Sequence, residues 1–214
     1  MNSLNHLRRV AIIGAGPCGT SLLRAFALAQ RKGAQIPELV CYEKQNDWGG
    51  LWRFSWQIGF DENGESTHGS MYRHMFTNVP KEYHEFPDYT YDEHFSKPVP
   101  SYLSRQDMSS YLFGRLKDCP EIRESIKFNT VVRQVEFDTE KDHFIVRAFD
   151  CVTGKTSTDY FSHVVVAIGH FSVPEIPSFE GMDEFPGRIV HSHEFRDAQE
   201  YVGQSVLILS LIHI

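Results

Sequence analysis

Gly14-Ala15-Gly16-Pro17-Cys18-Gly19 places glycines where backbone alone can approach a pyrophosphate, and where a strand must turn sharply into a helix. The helix that follows offers unpaired N–H groups and the positive end of its dipole. Glu43, 24 residues past Gly19, is the carboxylate such a site uses to accept both ribose hydroxyls. A second anion would meet it at a 2′-phosphate, so FAD or NAD fits here better than NADP. A lone G-x-G-x-x-G also describes an ordinary turn, and an acid at a strand end is often merely solvated. The strand before the glycines, the helix after them and Glu43 together favour the nucleotide. His191 and His193 alternate along a segment read as extended, a spacing that also suits a metal pair. No carboxylate or cysteine cluster accompanies them, so no metal site is expected. Cys18, Cys41, Cys119 and Cys151 form no C-x-x-C and show no ligand spacing, which implies reduced, buried thiols.

The elements that must position these residues follow from periodicity. Arg9–Ile13 reads as a short buried strand, residues 20–30 as a helix with Gly33 as its cap, and residues 38–43 as a second strand parallel to the first. Residues 44–104 are irregular and dense in aromatics, Gly and Pro, the profile of a binding region. Residues 105–117 space Met108, Tyr111, Leu112 and Leu116 along one helical face. Strands near 127–137, 143–149 and 157–167 predict a small antiparallel meander, and VVVAIG at 164–169 a fully buried strand returning to the main sheet. Residues 205–209 resemble the opening strand of another α/β unit. The 214 residues, 41% hydrophobic and 23% charged, suffice for a sizeable core. A net charge of -7 argues against nucleic acid as a partner, and the apolar runs are strand-sized, so neither a leader nor a membrane span is expected. Those features predict a cytoplasmic protein.

Phe185, Gly187, His191 and Phe195 fit the pattern F-x-G-x-x-x-H-x-x-x-[YF], and the chain resembles flavin-containing monooxygenases, most closely the bacterial trimethylamine monooxygenase branch. RAFALAQRKGAQIPELVCYEKQNDWGG, DENGE, SMYRHMFTNVPKEYHEFPDYTYDEHFSKPVPSY and IGHFSVPEIPSFEGMDEFPGRIVHSHEFRDA carry the resemblance across nearly the whole chain. It implies a Rossmann-like α/β fold in three layers with FAD in the first domain and NADPH in a second. It also implies an enzyme that uses O2 to oxygenate amines or sulfides through a flavin C4a-hydroperoxide. By motif, Gly14, Gly16, Pro17 and Gly19 belong to the FAD pyrophosphate site and Glu43 to the ribose. Gly50, Leu51 and Trp52 lie close to the flavin-linked part of the cofactor, and Gly169 also joins the cofactor site. Trp48 and Trp52 equally suit plain core packing. Asn78, in Phe76-Thr77-Asn78-Val79-Pro80, matches the asparagine set beside the reactive flavin carbon, although an Asn before Val-Pro is also a common turn residue. The aromatic stretch 48–91 is expected to exclude water. Phe195 separates the chain from related Baeyer–Villiger enzymes, which typically carry Trp there.

Two departures stand out. Ala167-Ile168-Gly169 replaces a threonine the family usually places before the glycine. After Leu209 no second glycine-rich cradle follows, and Ser210-Leu211-Ile212-His213-Ile214 resembles a translated adapter rather than native protein. The expected organisation is therefore 1–170 as FAD-binding domain and 171–214 as linker and truncated start of the NADPH-binding domain. The isolated chain is expected to bind FAD weakly and not to turn over NADPH, and a homodimer is considered for the full-length protein. A flavin disulfide reductase lacks its cysteine pair here. A non-catalytic FAD-binding fragment is the alternative.

Overall fold

The computed structural model describes residues 8–210. Its centre is a parallel sheet of β1 (Arg9–Ile13), β2 (Glu38–Tyr42), β3 (Ile126–Lys127) and β7 (His163–Val166), in the order β3-β2-β1-β7. Register runs Val10 beside Leu39 on one side and Val10 beside His163 on the other. Between β3 and β7 the chain makes an antiparallel meander, β4 (Thr130–Asp138), β5 (His143–Asp150) and β6 (Lys155–Phe161).

Period-two alternation distributes β1 and β2 between two cores. Val10, Ile12 and Cys41 face helix α1 (Pro17–Arg31), meeting Leu23, Ala27, Leu116 and Ile122. Ala11, Val40 and Tyr42 face the meander, meeting Val146, Ala148 and Phe161. Helix, parallel sheet and meander are thus the three expected layers, and strands covered on both faces read as unbroken apolar runs. Burying each large apolar side chain in these cores contributes about 2 kcal/mol. The Tyr42 hydroxyl donates to Asp159 Oδ2 at 2.8 Å, joining sheet to meander. Burial alone would raise the Asp159 carboxyl; Tyr42, Lys127 and Arg9 outweigh it and hold it below the usual aspartate range.

Several boundaries differ from the periodicity. Helix α1 begins at Pro17, because proline is favoured at a first helical position. It closes at the expected glycine: Gly33 has φ +86°, its N–H donates to Gln30 O, and the Ala34 N–H donates to Ala29 O. Helix α3 (Arg105–Gly114) stops short of residue 117; the Ser104 side chain caps its start by accepting from the Asp107 N–H. The expected strand 127–137 is two strands in different sheets, separated by Asn129 in the left-handed region at φ +52°. Likewise 157–167 divides at Ser162, where the chain leaves the meander for the parallel sheet. The returning strand ends at Val166 and is not fully buried: it lies at the sheet edge with Val166 66% exposed. Among the described residues no strand pairs with 205–209, which form no strand, and Val206, Leu207, Ile208 and Leu209 are exposed. Of the final five residues only Ser210 lies within the described part of the chain.

The aromatic segment contains short helix α2 (Tyr91–Phe95), started by a Thr90–Glu93 capping box. It packs on α3 through Tyr91, Leu103, Met108 and Tyr111. Arg24, 5% exposed on α1, ties that segment to the sheet layers: it pairs with Asp88, with Asp118 at 2.9 Å, and donates to the Arg115 carbonyl at 3.1 Å. Arg24→Met is expected to cost about 2 kcal/mol in urea unfolding, less than a fully buried pair because Asp118 is half-exposed. An unchanged midpoint would show that the aromatic segment is held by its apolar contacts alone.

Candidate functional site

The ends of β1, β2 and β7 converge on the glycine turn. Gly14 sits at φ +101°, and its N–H donates to Tyr42 O at 2.8 Å. A Cβ there would lie 2.5 Å from the Ala167 carbonyl oxygen. A Cβ on Gly19 would lie 1.9 Å from Gly14 O, so the first turn of α1 rests directly on the strand end. Gly16 differs: its nearest neighbour for a Cβ would be Gly50 Cα at 3.6 Å, an ordinary contact. Gly16 therefore has room that the protein itself does not fill. No side chain caps the start of α1, and no acidic residue occupies its first turn. Its unpaired N–H groups and positive dipole end are uncontested, the arrangement that holds a phosphate. Pro17 occupies the position where a missing N–H costs nothing, and Cys18 is exposed, against the expectation of a buried thiol, because it sits on the open side of this first turn.

A second glycine turn seats against the first. Gly49 donates its N–H to Ala15 O at 2.9 Å, and Gly50, at φ +54°, would bring a Cβ to 2.9 Å from Gly16 Cα. It leads into the 3-10 turn Gly50–Trp52, where Leu51 and Trp52 are half-buried. Trp52 packs against the Tyr91–Tyr111 cluster and Trp48 against the helix-side core, so core packing accounts for contacts of both.

Glu43 is 5% exposed at the end of β2. Its Oε2 accepts from the Ala15 N–H at 2.7 Å and its Oε1 from the Gln45 N–H at 2.8 Å, which fixes the carboxylate beside the glycine turn. Each oxygen retains further accepting capacity for a hydroxyl. Burial raises this carboxyl above its ordinary value, and the two N–H groups, Arg53 and Lys44 pull it only part of the way back. The Cys41 thiol beneath is pushed up to about 12 by burial and by Glu43, which leaves it protonated and inert. Beyond Glu43 opens a cavity of about 560 Å³ lined by Lys44, Gln45, Gly50, Arg53, His68 and Asn129 among others. Asn129 reaches it because its N–H donates to Gln45 O at 3.0 Å, extending the β2 edge.

Gly169, at φ +72°, would bring a Cβ to 3.4 Å from His68 Nε2, which places it near the same cavity. Asn78 does not line the cavity; it is exposed, next to buried Thr77, whose N–H donates to Leu103 O at 2.9 Å. His191 and His193 do not lie side by side on an extended segment. Ser192–Glu194 forms a 3-10 turn, and His191 Nδ1 accepts from the His193 N–H at 3.1 Å.

Arg196 belongs to none of the site motifs above. It is 4% exposed and donates to His193 O, Gln57 O and Gly69 O at 2.7, 2.8 and 2.7 Å, binding the 185–197 segment to the cavity wall. The adjoining Asp197 pairs with Arg73 at 3.1 Å, and Phe195 meets Tyr72 with ring centroids 5.4 Å apart. An Arg-Asp pair directly after an aromatic was the available signal, but nothing in spacing says that the guanidinium turns inward.

A family model described as flavin-binding monooxygenase-like matches residues 7–213. The trimethylamine monooxygenase of Methylocella silvestris is 50% identical over 203 residues, covering 95% of this chain and 45% of that protein. Human flavin-containing monooxygenase 3 is 31% identical over 209 residues, covering 95% and 36%. Among solved structures, Tmm from Pelagibacter sp. strain HTCC7211 matches with a TM-score of 0.86 at 50% identity, over 90% of this chain and 43% of that one. The S-allyl-L-cysteine S-oxygenase from Allium sativum matches with 0.74 at 26% identity, over 91% and 44%. The chain spans less than half the length of these relatives. Among the described residues no helix is long and apolar enough to cross a membrane. With a glycine cradle, a buried carboxylate beside it and a match along nearly all its residues, the chain belongs to the flavin-binding monooxygenase-like family.

Proposed function

We propose that this chain supplies the FAD-holding part of an NADPH-dependent monooxygenase that oxygenates soft nucleophiles, namely small amines such as trimethylamine, or sulfides. The observation that carries this reading is the unfilled space at Gly16, bounded by the uncapped start of α1 and by Gly50. The names of two relatives, a trimethylamine monooxygenase and an S-oxygenase, support the substrate class. When bound, the reduced flavin supplies the electrons that activate O2 for oxygen transfer.

The residues divide the work. Gly14, Gly16 and Gly19 let backbone N–H groups and the α1 dipole meet the FAD pyrophosphate, with Pro17 fixing the first turn. Glu43 accepts the ribose hydroxyls and repels a 2′-phosphate, which directs NADPH elsewhere. Gly50, Leu51, Trp52 and Gly169 would flank the remainder of the cofactor. Asn78, exposed outside the cavity, is assigned by motif alone; its amide would donate near the reacting atoms, a role whose loss costs on the order of a hundredfold in rate. The aromatic segment keeps water from the reaction. FAD-binding residues 1–170 and a linker from 171 onward make up the proposed organisation.

Gly16→Ala tests the cradle without disturbing it, because the added methyl meets only an ordinary contact. Flavin-fluorescence titration is expected to show FAD affinity reduced about tenfold or more, with thermal stability changed by only a few tenths of a kcal/mol. Equal affinity in both proteins would remove the pyrophosphate from this site. Glu43 gives a pH signature in the ligand-free protein. Its folded pKa is raised, so its contribution to stability is present below the ordinary glutamate range and is lost as pH rises through the raised value. Glu43→Gln is expected to flatten that fall in unfolding midpoint while weakening FAD binding; a profile parallel to the parent's would count against the buried carboxylate. For the activity itself, trimethylamine-dependent consumption of NADPH and O2 by the protein at its relatives' full length is expected, and its absence with every amine and sulfide tried would leave the non-catalytic FAD-binding reading.

A further inference from the structure

Away from the cradle the aromatic segment builds a stack centred on Tyr111. Tyr91 lies on it with ring centroids 4.0 Å apart and planes 27° from parallel, and Tyr89 at 5.5 Å and 16°. Tyr91 and Tyr111 are sealed from solvent, 1% and 0% exposed. The Tyr111 hydroxyl is fully used by backbone: it donates to Tyr89 O at 2.5 Å and accepts from the Phe86 N–H at 2.8 Å. The other two phenols each meet an imidazole instead. Tyr91 Oη is 2.7 Å from His84 Nδ1, and Tyr89 Oη is 2.8 Å from His94 Nδ1. Gly114 makes room for the second pair, since a Cβ there would lie 2.4 Å from His94 Nδ1.

The direction of the first bond follows from the far side of its ring. His84 Nε2 is 3.0 Å from the Val79 carbonyl oxygen, which can only accept, so Nε2 carries the hydrogen. Nδ1 of the neutral ring is then bare, and the Tyr91 hydroxyl donates to it at 2.7 Å in preference to the weaker acceptor Met108 Sδ at 3.6 Å. A buried phenol that needed only satisfaction could use a carbonyl, as Tyr111 does. Tyr91 has a base in hydrogen-bond contact, and that base is half-buried, with a route to solvent for a proton. Burial, reinforced by Tyr111, Glu85 and Glu82, pushes the Tyr91 phenol up, so no tyrosinate forms beforehand. A charged ring in such a site is costly, which means that an electron can leave Tyr91 readily only if the proton leaves with it.

We propose that Tyr91 and His84 form a proton-coupled one-electron redox site, joined through the Tyr111–Tyr89 stack and through Trp52, which packs on the same cluster. The Tyr91 O–H bond breaks, its proton forms an N–H bond on His84 Nδ1, and its electron reduces a one-electron oxidant such as a radical derived from reduced oxygen. Tyr91 is left as a neutral phenoxyl radical. A one-electron reductant of the thiol class restores it, with His84 returning the proton. Trp52 ends the glycine turn that abuts the cradle, so the stack leads oxidising equivalents out of a site that handles reduced flavin and O2; that last clause rests on the function proposed above, whereas the chemistry of the pair does not.

The test uses pulse radiolysis of the flavin-free protein, with azidyl radicals as oxidant and transient absorption to separate tryptophanyl from tyrosyl signals. The expected result is intramolecular conversion of tryptophanyl to tyrosyl radical, slower in D2O. Tyr91→Phe should abolish most of that conversion. His84→Gln keeps an acceptor for the Tyr91 hydroxyl but no base, and should slow it about tenfold or more. Conversion at the parent's rate in both variants, or a rate in the unmodified protein that is equal in H2O and D2O, would overturn the proposal. Either variant decides the matter alone if the other fails to fold, because each changes only the Tyr91–His84 pair. No flavin takes part, so failure here leaves the cradle standing, and failure of Gly16→Ala to affect FAD affinity leaves the radical chemistry standing.

Discussion

The structure depends on how closely backbone can approach backbone at Gly14. The oxygen of Gly14 lies where a side chain on Gly19 would begin, and its own missing side chain leaves space for the Ala167 carbonyl. Helix α1, strands β1 and β7 and the second glycine turn at Gly50 are therefore placed by excluded volume rather than by any single strong bond. Such contacts tolerate almost no relaxation, because atoms this close have no flexible side chain between them to yield. The same closeness leaves N–H groups bare at the start of α1. Positioning of the site and packing of the sheet are thus one feature seen from two sides.

Electrostatics refine that frame locally. Glu43 is buried against two N–H groups, Asp159 against Tyr42 and Lys127, and Arg24 against two aspartates. In the last two the charge is met by an opposite charge on another layer, and the pair acts as a tie. Among the described residues Glu43 has no cation in hydrogen-bond contact; backbone holds it, and its carboxyl is raised while that of Asp159 is depressed. A carboxylate kept under that strain is suited to meeting hydroxyl groups and poorly suited to meeting another anion.

Much of this was legible in sequence because it is written in local rules. Glycine spacing, a strand before it and an acid after the next strand define β1, α1, β2 and Glu43 within a short span. What was not legible depends on where the chain changes partner. Asn129 and Ser162 each mark a passage from one sheet to the other, yet the alternation continues through both, so periodicity alone joins what the fold separates. Arg196 was missed for a related reason: its partners are carbonyls at Gln57 and Gly69, far away in sequence and carrying no side-chain signature. The extended reading of residues 191–193 gives way to a turn at Ser192–Glu194, which the alternation of the two histidines does not signal.

The meander lies in sequence between β3 and β7, while β7 pairs with β1 near the start of the chain. During synthesis β1 and β2 can pair early, but the side of β1 that receives β7 stays open until the chain has emerged as far as Val166. Contacts that span so much sequence form slowly, since the loop they close must be gathered first. In that interval Val10, Ala11 and Ile12 present an apolar strand with an unpaired edge, a species prone to associate with other nascent chains. The order in which the polypeptide is made therefore sets a period of vulnerability that ends only when His163–Val166 arrives.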